Sequence, residues 1–115
     1  MCKNFKTKIN LQKWEDKKIP KATDLVVNCT SIGMNANEKL ELDFSVVKKG
    51  IFIYDIVYKK GNKFLLRRST KLGHRTSDGL SMLIRQAAES FHFWFNIYPT
   101  EKQIESAKKI VKKKT

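Results

Sequence analysis

Two short apolar runs constrain the fold of this chain more than any other feature. They occupy residues 24–29 and 51–58, and both contain β-branched residues. A continuous apolar run of this length is typical of a strand covered on both faces in the interior of a parallel sheet. About twenty residues separate the runs, which suits a crossover between parallel strands. Within the crossover, residues 43–50 are predicted to form one or two helical turns.

Three helices are predicted after the second run. A short helix at 64–72 ends before Gly73, which is predicted to adopt a left-handed conformation. A long helix follows, capped by Ser77 or Asp78 and ending near Asn96. Helical spacing gives this helix an apolar face that comprises Leu80, Leu83, Ile84, Ala87, Phe91, Trp94 and Phe95.

Pro99 and Thr100 open the last helix, in which Thr100 and Gln103 are spaced as a capping box. Its predicted apolar stripe consists of Ile104, Ala107, Ile110 and Val111. The order of strands and helices predicts an α/β layered fold. We divide the chain into a basic lead-in at 1–23 with a short edge strand near Ile9, a central region at 24–98, and a C-terminal helix with a lysine tail at 99–115.

The net charge of +13 is large for a chain of 115 residues. Such an excess attracts nucleic acid, anionic membranes or phosphorylated ligands. Twenty of the 24 cationic residues are Lys, whereas interfaces that read nucleic-acid sequence favour Arg. The excess therefore indicates a lysine-rich surface, and nucleic acid is a disfavoured partner. No apolar run approaches the roughly 18 to 20 residues of a spanning helix, so no membrane partner is expected.

The thiols and imidazoles show no metal-ligand spacing. Cys2 and Cys29 form no C-x-x-C pair, which favours reduced thiols in a cytoplasmic protein over a disulfide or a zinc site. His74 and His92 are likewise isolated, so we predict no metal site. A P-loop and a G-x-G-x-x-G motif are both absent from the sequence, and we assign no catalytic residue.

Polar residues follow both apolar runs, at the strand ends where parallel sheets bind ligands. The cluster at 28–34 is compatible with a cofactor contact or with a strand-terminating turn. A buried Asp55 would need hydrogen-bonding partners, and Tyr58 could offer its hydroxyl to a ligand or simply pack. Gly79, at the start of the long helix, permits a close approach, whereas the spacing of Gln86 alone is typical of a surface residue.

Three motifs in this order resemble the C-terminal part of shikimate dehydrogenase, an NADP-dependent enzyme. They are DLVVNCTSIGM at 24–34, YDIVY at 54–58 and DGLSMLIRQAA at 78–88. The resemblance implies the C-terminal half of a Rossmann-like NADP-binding domain, with parallel strands joined by a crossover, plus C-terminal helices. It implies NADP contacts at Thr30, Ser31, Ile56 and Gly79, and shikimate contacts at Tyr58 and Gln86.

The same resemblance implies reduction of 3-dehydroshikimate to shikimate with NADPH. The family's catalytic Lys and Asp and its glycine-rich phosphate turn lie upstream of the matched motifs. We therefore expect a truncated or split fragment, inactive alone, that needs an N-terminal half or a full-length partner. The alternative is a small basic nucleic-acid-binding or regulatory module derived from the same fold. One departure from the family is Asn62-Lys63, where Thr-Pro is frequent.

Overall fold

The computed structural model describes residues 8–35, 37–58 and 63–114. In this part of the chain, three strands and three helices form a mixed α/β arrangement, which confirms the predicted fold class. In chain order the elements are β1 (Leu25–Asn28), β2 (Phe52–Asp55), α1 (Phe64–Lys71), β3 (Arg75–Asp78), α2 (Leu80–Phe95) and α3 (Glu101–Lys114).

The three strands form one parallel sheet in the order β1-β2-β3. The register places Asn28 opposite Asp55 and Asp55 opposite Asp78. These residues are the last of their strands, so three polar side chains stand in one row at the carboxyl edge of the sheet. We call Asn28, Asp55 and Asp78 the polar row.

Two hydrophobic clusters hold the fold together. The first lies between the sheet and α1 and is formed by Leu40, Ile51, Ile53, Leu65 and Leu66. The second joins α2 to α3 and is formed by Leu80, Ile84, Ala88 and Ile104. A two-pronged ion pair between Arg85 and Glu101, with N–O distances of 2.8 and 3.0 Å, ties the same two helices at the surface.

The first apolar run was predicted to form an interior strand, and this prediction is wrong for the described residues. β1 lies at an edge of the sheet, and the side chains of Leu25 and Val27 are 54% and 45% exposed. The intervening Val26 packs against the cluster under α1. The exposed face of β1 exists because α1 covers only the opposite face of the sheet. β1 and β2 are also shorter than the apolar runs at 24–29 and 51–58 that predicted them.

β3 was not predicted, because the sequence Arg-Thr-Ser-Asp contains no apolar residue. Parallel pairing with β2 imposes the strand conformation on it. Ser77 and Asp78, which were predicted to cap the long helix, therefore lie in a strand, and Gly79 occupies the cap position. Asp78 still accepts a hydrogen bond from the Leu80 N–H at 3.2 Å.

Two other local predictions are also wrong. Residues 43–50 form bends and a turn rather than helical turns. From Lys8 onward the lead-in contains no strand, and this described part pairs instead through a bridge between Lys18 and Asp43. Residues 1–7 of the lead-in, including Cys2, lie outside the described residues, as does Asn62.

The predicted helix ends are largely confirmed. Gly73 has φ +85°, and the capping box forms, with Thr100 N–H donating to Gln103 Oε1 at 2.8 Å and Gln103 N–H donating to Thr100 Oγ1 at 3.3 Å.

The predicted apolar faces of α2 and α3 are only half buried, because α3 covers just one side of α2. An aromatic patch remains exposed at the end of α2 and consists of Phe91, Phe93, Trp94, Phe95, Ile97 and Tyr98. Ala87 and Ile110 are also exposed.

Candidate functional site

Two members of the polar row, Asn28 and Asp55, are buried and hydrogen-bonded to each other. Asn28 and Asp55 are each 4% exposed. The Asn28 side-chain amide donates to Asp55 Oδ1 at 2.9 Å, and the Val57 N–H donates to the same oxygen at 3.1 Å. The buried carboxylate that the sequence predicted to need partners therefore finds them in the neighbouring strand end and in its own backbone.

Asn28 also fixes the turn that follows β1. Its Oδ1 accepts hydrogen bonds from the Thr30 N–H at 3.0 Å and from the Thr30 hydroxyl at 2.7 Å. The Thr30 hydroxyl in turn accepts from the Ile32 N–H at 3.2 Å. Both donors of Thr30 are thus engaged within the protein. The exposed Ser31 presents the hydroxyl of this turn to solvent.

The two carboxylates of the polar row have opposite pKa shifts. Burial raises the pKa of Asp55, and the charge of Asp78 adds to the rise, while hydrogen bonds from Val57 and Asn28 oppose it. Burial also acts to raise the pKa of Asp78, but the Lys63 ammonium at 2.7 Å and the Leu80 N–H outweigh it, so the net shift is downward. Asp78 therefore keeps its negative charge to a lower pH than Asp55 does.

Substitution of Asp55 by Asn is expected to change how stability depends on pH. The pKa of Asp55 is higher in the folded state, so its stabilising contribution is present below about pH 4 and is lost as pH rises through the folded-state pKa. Asn keeps an oxygen acceptor for the Asn28 and Val57 donors but does not ionise. The free energy of unfolding of Asp55→Asn, relative to the parent chain, should increase between about pH 4 and about pH 7.

Asp24→Asn is the control for this measurement. An ion pair with Lys48 lowers the pKa of the exposed Asp24, so its stabilising contribution is already present above about pH 4, and the stability difference between Asp24→Asn and the parent should stay nearly constant between about pH 4 and about pH 7. Urea titrations at several pH values would measure both slopes. A stability difference for Asp55→Asn that rises no more steeply with pH than the difference for Asp24→Asn would contradict the assignment.

Gly79 lies against the backbone of Ile56, which brings two predicted cofactor residues together. A Cβ added to Gly79 would overlap the Ile56 carbonyl oxygen and stand 2.6 Å from the carbonyl carbon and 2.9 Å from Cα. The φ angle of Gly79 is −77°, which any residue can adopt. Close backbone packing, rather than an unusual backbone angle, therefore requires glycine here.

Hydrogen bonds link this contact to the turn after β1. The Ile56 N–H donates to the carbonyl oxygen of Asn28 at 3.1 Å, and the Asn28 side chain holds Thr30. The residues predicted to contact the cofactor thus gather at one edge of the sheet, around a buried asparagine. Asn28 was not predicted from the sequence as a site residue. Its position at the end of an apolar run could have indicated it, because ligands bind at the ends of parallel strands.

Tyr58 and Gln86 are placed differently. The half-buried Tyr58 packs against the cluster that joins α2 to α3. Gln86 is exposed on α2, and its side-chain amide donates to the Leu83 carbonyl at 3.1 Å. Among the described residues, no group of three or more His, Cys, Asp or Glu side chains is arranged to hold a metal ion. No helix in that part of the chain is long and apolar enough to cross a membrane.

A parallel sheet whose polar strand ends meet at one edge, with helices after the strands, defines a Rossmann-like α/β fold. The chain resembles shikimate dehydrogenase. The family model described as Shikimate 5'-dehydrogenase C-terminal domain matches residues 79–107. This result confirms the resemblance inferred from the three motifs and gives no support to a nucleic-acid-binding module.

Individual relatives agree with this family. The shikimate dehydrogenase (NADP(+)) of Pyrococcus abyssi is 45% identical over 76 residues, covering 66% of this chain and 28% of the relative. That of Afipia carboxidovorans is 34% identical over 101 residues, covering 86% of this chain and 36% of the relative. The crystal structure of the Aquifex aeolicus enzyme matches with a TM-score of 0.62 and 29% identity, over 72% of this chain and 30% of that one. The chain thus spans about a third of the length of these relatives.

Proposed function

We propose that this chain forms the nicotinamide side of an NADP site in an oxidoreductase of the shikimate dehydrogenase type. The observation that carries the proposal is the contact of Gly79 with the Ile56 backbone beside the turn held by Asn28. This contact joins the three sequence motifs on which the resemblance rests. Bound NADP would supply the hydride chemistry, and the residues of this chain would position its nicotinamide end.

The residues at this edge of the sheet fit the positioning of a nicotinamide, and they do not supply the other functions of the enzyme. Ser31 offers an exposed hydroxyl, Thr30 shapes the turn, and the Ile56–Gly79 contact forms a rigid backbone wall. The sequence contains no glycine-rich phosphate turn, so anchoring of the cofactor phosphates falls to another part of the enzyme. Proton transfer to the substrate oxygen likewise falls to residues outside the matched motifs.

We further propose that Tyr58 and Gln86 contact shikimate or 3-dehydroshikimate. The packing of the Tyr58 ring against the second cluster supports this role, because it limits the directions in which the hydroxyl can point. Gln86 lies on the exposed side of α2, and an amide that donates one N–H to Leu83 still has an oxygen and a second N–H to offer a ligand.

The remainder of the enzyme is the proposed partner. The exposed face of β1 and the aromatic patch on α2 are apolar surfaces of the kind that protein interfaces cover. The matched regions cover only 28% and 36% of the two relatives, which leaves ample polypeptide in each of them to cover both surfaces. We expect the N-terminal part of such an enzyme to complete the site.

The test is co-expression of this chain with the part of the Pyrococcus abyssi enzyme that precedes the matched region. The chain alone should give no increase in NADPH absorbance with NADP⁺ and shikimate, whereas the pair should give one. Activity of the chain alone would refute the predicted dependence on a partner. A stable complex that binds neither NADP⁺ nor shikimate would refute the proposed function.

In the active pair, removal of one hydroxyl should weaken substrate binding. We expect Tyr58→Phe to raise the KM for shikimate about tenfold, because one hydrogen bond to the ligand is lost. Steady-state kinetics at saturating NADP⁺ would measure the change. Lys109→Ala, on the exposed surface of α3, should leave KM unchanged. Equal KM values for Tyr58→Phe and the parent would contradict the assignment.

A further inference from the structure

A basic groove lies between α1 and β3. It has a volume of about 440 Å³ and is lined by Lys63, Leu66, Arg67, Thr70, Lys71, Thr76, Ser77 and Asp78. None of the residues assigned above to NADP or shikimate lines it. The groove shares Asp78 with the polar row, and the proposed function uses none of the residues that line it.

Two cations of this groove share one face of α1. Arg67 and Lys71 are four residues apart, which places them about 6 Å apart along the helix axis, and Lys63 precedes the helix at its N-cap position. α1 itself contains no acidic residue. The family resemblance does not account for Lys63, which stands where proline is frequent in the family.

The single carboxylate that lines the groove is already neutralised. The Lys63 ammonium lies 2.7 Å from Asp78 Oδ2, and both side chains are partly buried. This pairing leaves the charges of the exposed Arg67 and Lys71 uncompensated within the groove. The groove thus combines two outward cations with a third that is held in place by an ion pair.

One hydrogen bond between two threonine hydroxyls links the two walls of the groove. The Thr70 hydroxyl donates to the Leu66 carbonyl at 2.9 Å, and it lies 3.2 Å from the Thr76 hydroxyl on β3. The spacing between α1 and β3 is therefore set before any ligand arrives. A hydrogen bond between the two walls favours binding, because the groove loses less conformational entropy when a ligand enters.

We propose that this groove binds an anion carrying two linked phosphate groups, of the diphosphate class. Arg67 would grip one phosphate through the planar fork of its guanidinium, and Lys71 would bind the second as a point charge. Spacing of about 6 Å along the helix lets two separate negative groups be contacted together. A single phosphate engages fewer of these cations and binds more weakly.

Titration of the full chain with pyrophosphate, followed by amide chemical shifts in NMR at constant ionic strength, tests the proposal. Saturable shifts should appear at α1 and β3, with weaker binding of inorganic phosphate. Arg67→Gln combined with Lys71→Gln should raise the Kd for pyrophosphate about tenfold or more, because two charge-assisted hydrogen bonds are lost.

The matched control is Lys108→Gln combined with Lys109→Gln on α3, which removes the same charge elsewhere on the surface. This variant should keep the Kd of the parent chain. Equal weakening by the two double variants would show binding to general surface charge and would overturn the proposal. Absence of saturation, or shifts spread evenly over the lysine-bearing surface, would overturn it as well.

Discussion

Gly79→Ala is expected to destabilise the chain by about 3 kcal/mol. The added methyl group would meet the carbonyl carbon and Cα of Ile56 at 2.6 and 2.9 Å. These are backbone atoms, which cannot rotate away as a flexible side chain could. Relief of the overlap requires α2 to move away from the end of β2, and this movement would disturb the proposed nicotinamide wall. Urea unfolding of the variant and the parent would measure the loss.

Gly50→Ala separates this packing effect from the general cost of replacing a glycine. Gly50 has φ +81°, and a Cβ added there would meet nothing within 4 Å. Its replacement should cost only about 1 kcal/mol, from the left-handed backbone conformation. A loss at Gly79 no larger than the loss at Gly50 would show that the Ile56 contact is not responsible.

Asn28→Ala is expected to have the second large effect, a loss of about 2 to 4 kcal/mol. The substitution removes the amide that donates to the buried Asp55 carboxylate, and it removes the oxygen that accepts both donors of Thr30. Buried polar groups left without partners are costly because they have also lost water. The Thr30 amide proton should exchange with solvent much faster in the variant, and hydrogen exchange would measure this directly.

Gln12→Ala is the matched control, since Gln12 is also an amide that donates to two carbonyl groups, those of Asp16 and Lys18. Gln12 is exposed, so water can replace its bonds, and its loss should change the stability by no more than about 0.5 kcal/mol. Similar losses in the free energy of unfolding for Asn28→Ala and Gln12→Ala would mean that burial of the hydrogen bonds does not determine how much stability is lost.

The elements that sequence patterns predicted well are those with a local cause. The left-handed Gly73 and the reciprocal bonds between Thr100 and Gln103 depend on residues within a few positions of one another. The two apolar runs likewise mark strands without reference to the rest of the chain. The gathering of Thr30, Ile56 and Gly79 at one edge followed from parallel pairing together with the family resemblance.

The errors have non-local causes. β3 is a strand because β2 pairs with it, and its sequence contains no apolar residue that would predict a strand. β1 is as apolar as an interior strand, so its sequence could not reveal that Val27 is exposed at an edge. Asp78 was interpreted as a helix cap, because its place in the polar row depends on the register of three strands. The spacing of apolar residues likewise predicted which face of α2 is apolar, but it could not predict how much of that face α3 covers.

Each strand of the sheet pairs with the strand that follows it in the chain, and this order has a consequence for folding during synthesis. Leu25 pairs with Phe52, and Phe52 pairs with Arg75, so each pairing closes a loop of fewer than about thirty residues. α2 and α3 then pack as a hairpin of adjacent helices. Sheet and hairpin can therefore form in the order in which the ribosome releases them.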